Sequence, residues 1–182
     1  MALTLLVILI VSGFGVVGSQ AQQVEILAEK LRHPVGIDVA SNGLVYFSEF
    51  GLEGALKVYH PGSKTVETVI PNLVSAAGVA VGPNGKVYVV ESAKGRVWVY
   101  NPETGDSKVL VEVEGIWGID LDNEGNLYLT VRSKEGSLLK VPAGGGEPET
   151  LVEGLMLPYG VDVAPNGDVY IVEFGEPASA TG

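Results

Sequence analysis

Between Leu31 and Glu173 the sequence repeats itself four times with a period of 40–42 residues, and this limits the fold more than any other feature. The stretch Leu31-Arg-His-Pro-Val-Gly-Ile-Asp-Val-Ala-Ser-Asn-Gly-Leu-Val-Tyr-Phe-Ser-Glu49 aligns with Leu155-Met-Leu-Pro-Tyr-Gly-Val-Asp-Val-Ala-Pro-Asn-Gly-Asp-Val-Tyr-Ile-Val-Glu173. Two further copies lie between them, ending at Glu91 and Val131. Gly36, Gly78, Gly118 and Gly160 mark one column of this alignment, and Tyr46, Tyr88, Tyr128 and Tyr170 mark a second. Gly43, Gly85, Gly125 and Gly167 mark a third. A repeat of this length is one supersecondary unit that buries its apolar face only by stacking on its neighbours.

Each unit reads as four β segments. In the first copy the pattern predicts strands at 36–40, 44–49, 55–59 and 65–70, with a tight turn at Ser41-Asn42-Gly43. Ile37 and Val39, then Val45 and Phe47, follow the two-residue period of strands. No helix of useful length is expected beyond the N-terminal stretch. The reading is all-β: a β-propeller with four-stranded blades of 40–42 residues, incomplete at about three and a half blades. The expected blades are 34–71, 76–113, 116–153 and a partial one at 158–182, within a segment spanning 24–182. Val24–Ala28 is expected to belong to an outer fourth strand over 24–30 that closes a ring. Because the third strand of the last unit is missing, the chain is read as a fragment of a longer product, the alternative being assembly with itself or another chain.

The segments Gly-Ile-Asp-Val, Asn-Gly-Leu-Val-Tyr and Leu-Lys-Val-Tyr resemble the NHL repeat. More broadly they are similar to the six-bladed propellers of the gluconolactonase and regucalcin-like group and of the streptogramin-lyase-like group. The resemblance covers about Val24 to Gly175. It implies a ligand site at one end of the channel, and a divalent metal there in the gluconolactonase-like members.

Composition narrows the partners. Twenty-two acidic residues against 11 basic ones give a net charge of −11, which repels phosphate backbones and argues against nucleic acid. The absence of cysteine removes disulfides, thiolate metal sites and a cysteine nucleophile. Residues 1–21 read as a signal peptide, with Ser19-Gln20-Ala21 as the cleavage site, so the domain is expected to be secreted or periplasmic. The alternative is an uncleaved membrane anchor over 2–18, near the lower length limit for spanning a bilayer. No Lys or Arg precedes the apolar run.

Blade geometry puts the entry to strand one and the exit from strand two together at the channel mouth, where loops converge on one axis. His33, Trp117, Arg132 and Tyr159 fall there, each occurring once on the repeated frame, and are the candidate ligand-binding residues; the occupant is a small molecule or a protein. Glu49, Glu91 and Glu173 recur at the exits of three repeats, and are candidate ligands for Ca²⁺ or another divalent cation. The competing reading has each Glu bonding the amides of its own loop. His33 beside Glu49 is a candidate base or ligand. Asp38, Asp120 and Asp162 on strand one either tie neighbouring blades together or make the channel attractive to cations. No catalytic residue is assigned. Binding through the loop face is the leading function, and a metal-dependent lactone hydrolase or lyase is the alternative.

Overall fold

The computed structural model describes residues 24–174, so the expected leader or anchor and the expected loop after Phe174 lie outside it. The first sheet contains β1 (Pro34–Val39), β2 (Val45–Glu49), β3 (Gly54–His60) and β4 (Thr65–Leu73). The second contains β5 (Ala76–Val81), β6 (Val87–Glu91), β7 (Arg96–Tyr100) and β8 (Ser107–Glu112). The third contains β9 (Ile116–Leu121), β10 (Leu127–Val131), β11 (Gly136–Val141) and β12 (Glu149–Leu155), and the fourth only β13 (Pro158–Val163) and β14 (Val169–Glu173). Strands follow chain order within each sheet and pair antiparallel. The fold is an all-β propeller of three four-stranded blades and a two-stranded one.

Local sequence explains the turns. Gly43, Gly85, Gly125 and Gly167 all take φ between 73° and 89°, so each first hairpin closes through a left-handed glycine. Packing between blades explains the apolar columns. Tyr46, Val79, Val87 and Val89 bury one core between the first two sheets, and Tyr88, Val97, Ile119 and Leu129 bury the next. Each column residue on a second strand thus covers the first strand of the following blade.

The expected strand over 24–30 does not form; Glu25 makes a single bridge there. A strand needs a partner ladder, and the described residues offer this segment none. Side chains hold it instead: Leu27 and Leu31 pack on Val45, Phe47 and Tyr59, and Glu25 pairs with Lys64 at 3.2 Å.

Candidate binding site at the channel mouth

One irregularity recurs at the entrance to every blade. Pro34 faces Glu49 and Ile37 faces Phe47, so Val35 and Gly36 together oppose Ser48 alone. The same two-against-one bulge sets Ala77-Gly78 against Val90, Trp117-Gly118 against Thr130, and Tyr159-Gly160 against Val172. A bulge turns the side chain it carries away from the regular alternation. Here it presents Trp117 and Tyr159 at the mouth, whereas Ala77 at the same position is buried in the core. It also presses the glycine against the next blade: a Cβ on Gly36 would collide with the carbonyl oxygen of Ala77, and one on Gly118 with that of Tyr159. Ser48 fills its bulge with a relay, accepting from Gly36 N at 2.9 Å and donating to Ala77 O at 2.6 Å. Thr130 does the same between Gly118 N and Tyr159 O, both at 2.9 Å.

A second ring of positions is set by a main-chain bond repeated in every blade, which the Ser92 hydroxyl supplements in the second by donating to Ser75 O at 2.9 Å. The amides of Phe50, Ser92, Arg132 and Phe174 donate to the carbonyls of His33, Ser75, Gly115 and Leu157, at 2.8–3.1 Å. Those four carbonyl residues all have left-handed backbones, with φ of 44°, 59°, 75° and 49°. Only the third is glycine, so the other three loops hold a side chain in a region costing about 1–2 kcal/mol. The joint fixes where the exit residue sits and leaves its side chain free to vary.

These two rings bring three of the four candidate ligand-binding residues together. Trp117 and Tyr159 lie 4.9 Å apart between ring centroids, tilted by 49°. The Arg132 guanidinium stands 5.0 Å from the Trp117 ring and 5.1 Å from that of Tyr159. Phe50, from the first blade, reaches Trp117 of the third at 5.6 Å. The intervening blade contributes only Ala76 and Ala77 at its entry, which leaves room for that reach. Phe50 was missed in the sequence, although it shares an alignment column with Arg132. His33 stands apart from the cluster, lining a cavity of about 640 Å³ whose wall also includes Phe50, Arg32 and Leu52. Its imidazole has no hydrogen bond among the described residues.

Glu49, Glu91 and Glu173 do not converge on a metal centre. Each accepts a backbone N–H seventeen residues upstream: Glu49 from Arg32 at 2.8 Å, Glu91 from Val74 at 3.0 Å, and Glu173 from Met156. Glu49 also pairs with Lys57 at 2.8 Å, so no His33–Glu49 pair forms. Glu91, fully buried, takes Trp98 Nε1 at 2.9 Å and Lys94 at 3.3 Å as well. Burial opposes its charge, but these donors outweigh it and hold its pKa below the usual carboxylate range. Of the two readings of these glutamates, the bonds present are those of the backbone-anchoring one: each ties down an entry loop. Among the described residues no group of three or more His, Asp or Glu side chains could hold a metal ion.

The strand-one aspartates tie blades. Asp38 Oδ2 accepts Val81 N of the next blade at 2.6 Å, and Asp120 Oδ2 accepts Val163 N at 2.6 Å. Asp162 has no such partner among the described residues. Burial, followed by the charges of Asp162 and Asp38, pushes the Asp120 carboxyl above its ordinary pKa despite amide bonds from Val163 and Leu121.

Residues 73–100 match the NHL repeat. No curated protein sequence matches the chain. Among solved structures, a chain of a nidogen/laminin complex superposes with a TM-score of 0.74 at 18% identity, covering 85% of this chain and 64% of that one. Virginiamycin B lyase from Staphylococcus aureus superposes at 0.69 and 14% identity, covering 86% of this chain and 55% of that one. A calcium-binding protein, regucalcin, from Agrobacterium tumefaciens superposes at 0.65 and 15% identity, covering 81% and 56%. The chain thus spans less than two thirds of the length of these propellers, and the likeness is one of fold.

Proposed function

We propose that this NHL-repeat-bearing β-propeller segment is a binding module whose mouth takes a small molecule or a protein segment on Phe50, Trp117, Arg132 and Tyr159. The supporting observation is the cluster itself: three aromatic rings and a guanidinium, drawn from three blades, meet at the end of the channel where loops converge. Tyr159 is 37% exposed, so the surface is open to an occupant. Aromatic and arginine side chains of this kind dominate binding energy where they are held rigidly. The leader-like residues 1–21 support a secreted or periplasmic setting for this activity.

The alternative is a metal-dependent lactone hydrolase or lyase, for which the likeness in fold to a lyase is the motive. That chemistry asks for several oxygen ligands converging on one cation. Glu49, Glu91 and Glu173 are each bonded to an amide of the entry loop seventeen residues upstream, which favours the binding reading.

The test is a ligand screen by calorimetry on the wild-type chain, followed by Trp117→Ala and Tyr159→Ala. Each substitution is expected to weaken a mouth ligand by at least tenfold, about 1.4 kcal/mol, with the thermal midpoint little changed. Affinity unaltered in both variants would rule the mouth out as the site.

A further inference from the structure

We infer that the mouth selects an anionic, ring-bearing small molecule, whose carboxylate or similar acid group is held by Arg132 and whose ring lies on Trp117 and Phe50. This deepens the binding reading above and rests on it.

Arg132 carries the argument. Of the three arginines, Arg32 pairs with Glu53 at 3.1 Å and Arg96 with Glu112 at 2.8 Å. Arg132 makes no ion pair among the described residues, in a chain where acidic residues outnumber basic ones two to one. A guanidinium left without a carboxylate in such a chain is a position kept for an external anion. Its stacking is compatible with that role. The guanidinium carbon lies 5.0 and 5.1 Å from the Trp117 and Tyr159 ring centroids, and a guanidinium can rest on aromatic rings while its N–H donors remain available to an anion. A carboxylate meets such donors through two parallel hydrogen bonds. The stack also holds the side chain in place beforehand, so little rotamer entropy remains to be lost when the anion arrives.

The rest of the mouth sets the shape of the ligand. Phe50 continues the aromatic surface beyond Trp117 at 5.6 Å, and its other side lines a neighbouring cavity formed with Leu31, His33 and Leu52, which Arg132, Trp117 and Tyr159 do not line. Two of the glutamates at the mouth are already committed: Glu49 to Lys57 and Arg32 N, Glu91 to Lys94, Trp98 and Val74 N. Neither is bonded to Arg132.

The test compares three ring probes of equal size on the intact chain by isothermal titration calorimetry: 2-naphthoate, neutral 2-naphthalenemethanol and cationic 2-naphthylmethylammonium. The wild type is expected to bind naphthoate at least tenfold more tightly than the alcohol, and the ammonium most weakly. Arg132→Gln should abolish the preference for naphthoate over the alcohol. Arg132→Lys should recover only part of it, because the paired geometry is lost. Arg132 is exposed, so both variants should keep the wild-type thermal midpoint, which is measured alongside. Equal binding of naphthoate and alcohol by the wild type, or a preference that survives Arg132→Gln, overturns the assignment of an anionic ligand. If the alcohol binds in a Trp117-dependent manner with no preference for the anion, the mouth remains a binding site and only its ligand class is wrong. If no probe binds and no compound from the screen depends on Trp117, both readings fall.

Discussion

Two carboxylates near the channel, Glu91 and Asp120, are displaced in opposite directions, and the difference should be visible in the stability of the protein. The Glu91 pKa is lowered, so the unfolded chain binds the proton more readily and stability is lost as pH falls from about 4.5 through the folded value. Glu91→Gln should flatten that acid limb of a plot of thermal midpoint against pH, and should lower the midpoint at pH 7 because the bond to Lys94 loses its charge. The Asp120 pKa is raised above 3.8, so the folded state binds the proton more readily and stability falls as pH rises through the window between 3.8 and the folded value. Asp120→Asn keeps an acceptor for Val163 N and removes the charge that Asp38 and Asp162 oppose. Its midpoint should exceed that of the wild type at pH 7, with the gap closing below pH 3.8; an unchanged or lowered midpoint at pH 7 would contradict this account. The roles of these residues were legible to different degrees. Recurrence of Glu49, Glu91 and Glu173 at one position suggested a job common to every blade, which the loop-anchoring bonds explain. What no single column could show was that their oxygens were already taken.

At the level of strands, the bulge at each blade entrance assigns the leading glycines a purpose that differs between copies. Gly118 faces the carbonyl of Tyr159 and the Thr130 hydroxyl, whereas a Cβ on Gly160 would meet only Val172 Cγ2, at 3.0 Å. Gly118→Ala should therefore cost about 1–3 kcal/mol through overpacking, while Gly160→Ala should stay within about 0.5 kcal/mol. Urea unfolding of both variants checks the contrast, and equal losses would mean that the crowding at Gly118 has been misjudged. The strands themselves were readable from the sequence, because the same segments recur in register and left-handed turns leave glycine, although the second strands of the complete blades are buried along their length rather than alternately. The bulge was not. Two residues opposing one alters neither composition nor period enough to register, and it is visible only once Pro34 is seen facing Glu49 and Ile37 facing Phe47. Phe50 was hidden for a related reason, since its reach to Trp117 depends on the small Ala76 and Ala77 of a blade that lies between them.

Taken as a whole, the structure ends in two unlike surfaces that together reproduce an internal junction. On β1, Val35, Ile37 and Val39 are 43–56% exposed; on β14 Tyr170 and Val172, and just after it Phe174, are 59–70% exposed. Their counterparts Ala77, Val79, Tyr88 and Val90 are buried between blades. Apolar patches of this kind favour association. The chain studied alone should therefore sediment as larger species with rising concentration, and Tyr170→Lys with Val172→Glu should return it to monomer. Monomeric sedimentation of the wild type across the micromolar range would count against this. The repeat made the propeller legible at this scale, because a 40–42-residue period with four strands per unit has few other solutions. The joint that ties each exit residue to the left-handed residue before the next strand has a further consequence. Since a main-chain bond makes it in every blade, a duplicated blade carries a ready mounting point for a new mouth residue. Phe50, Ser92, Arg132 and Phe174 show four different fillings of one such socket. Specificity in this architecture can thus drift one residue at a time while the framework that displays it stays still.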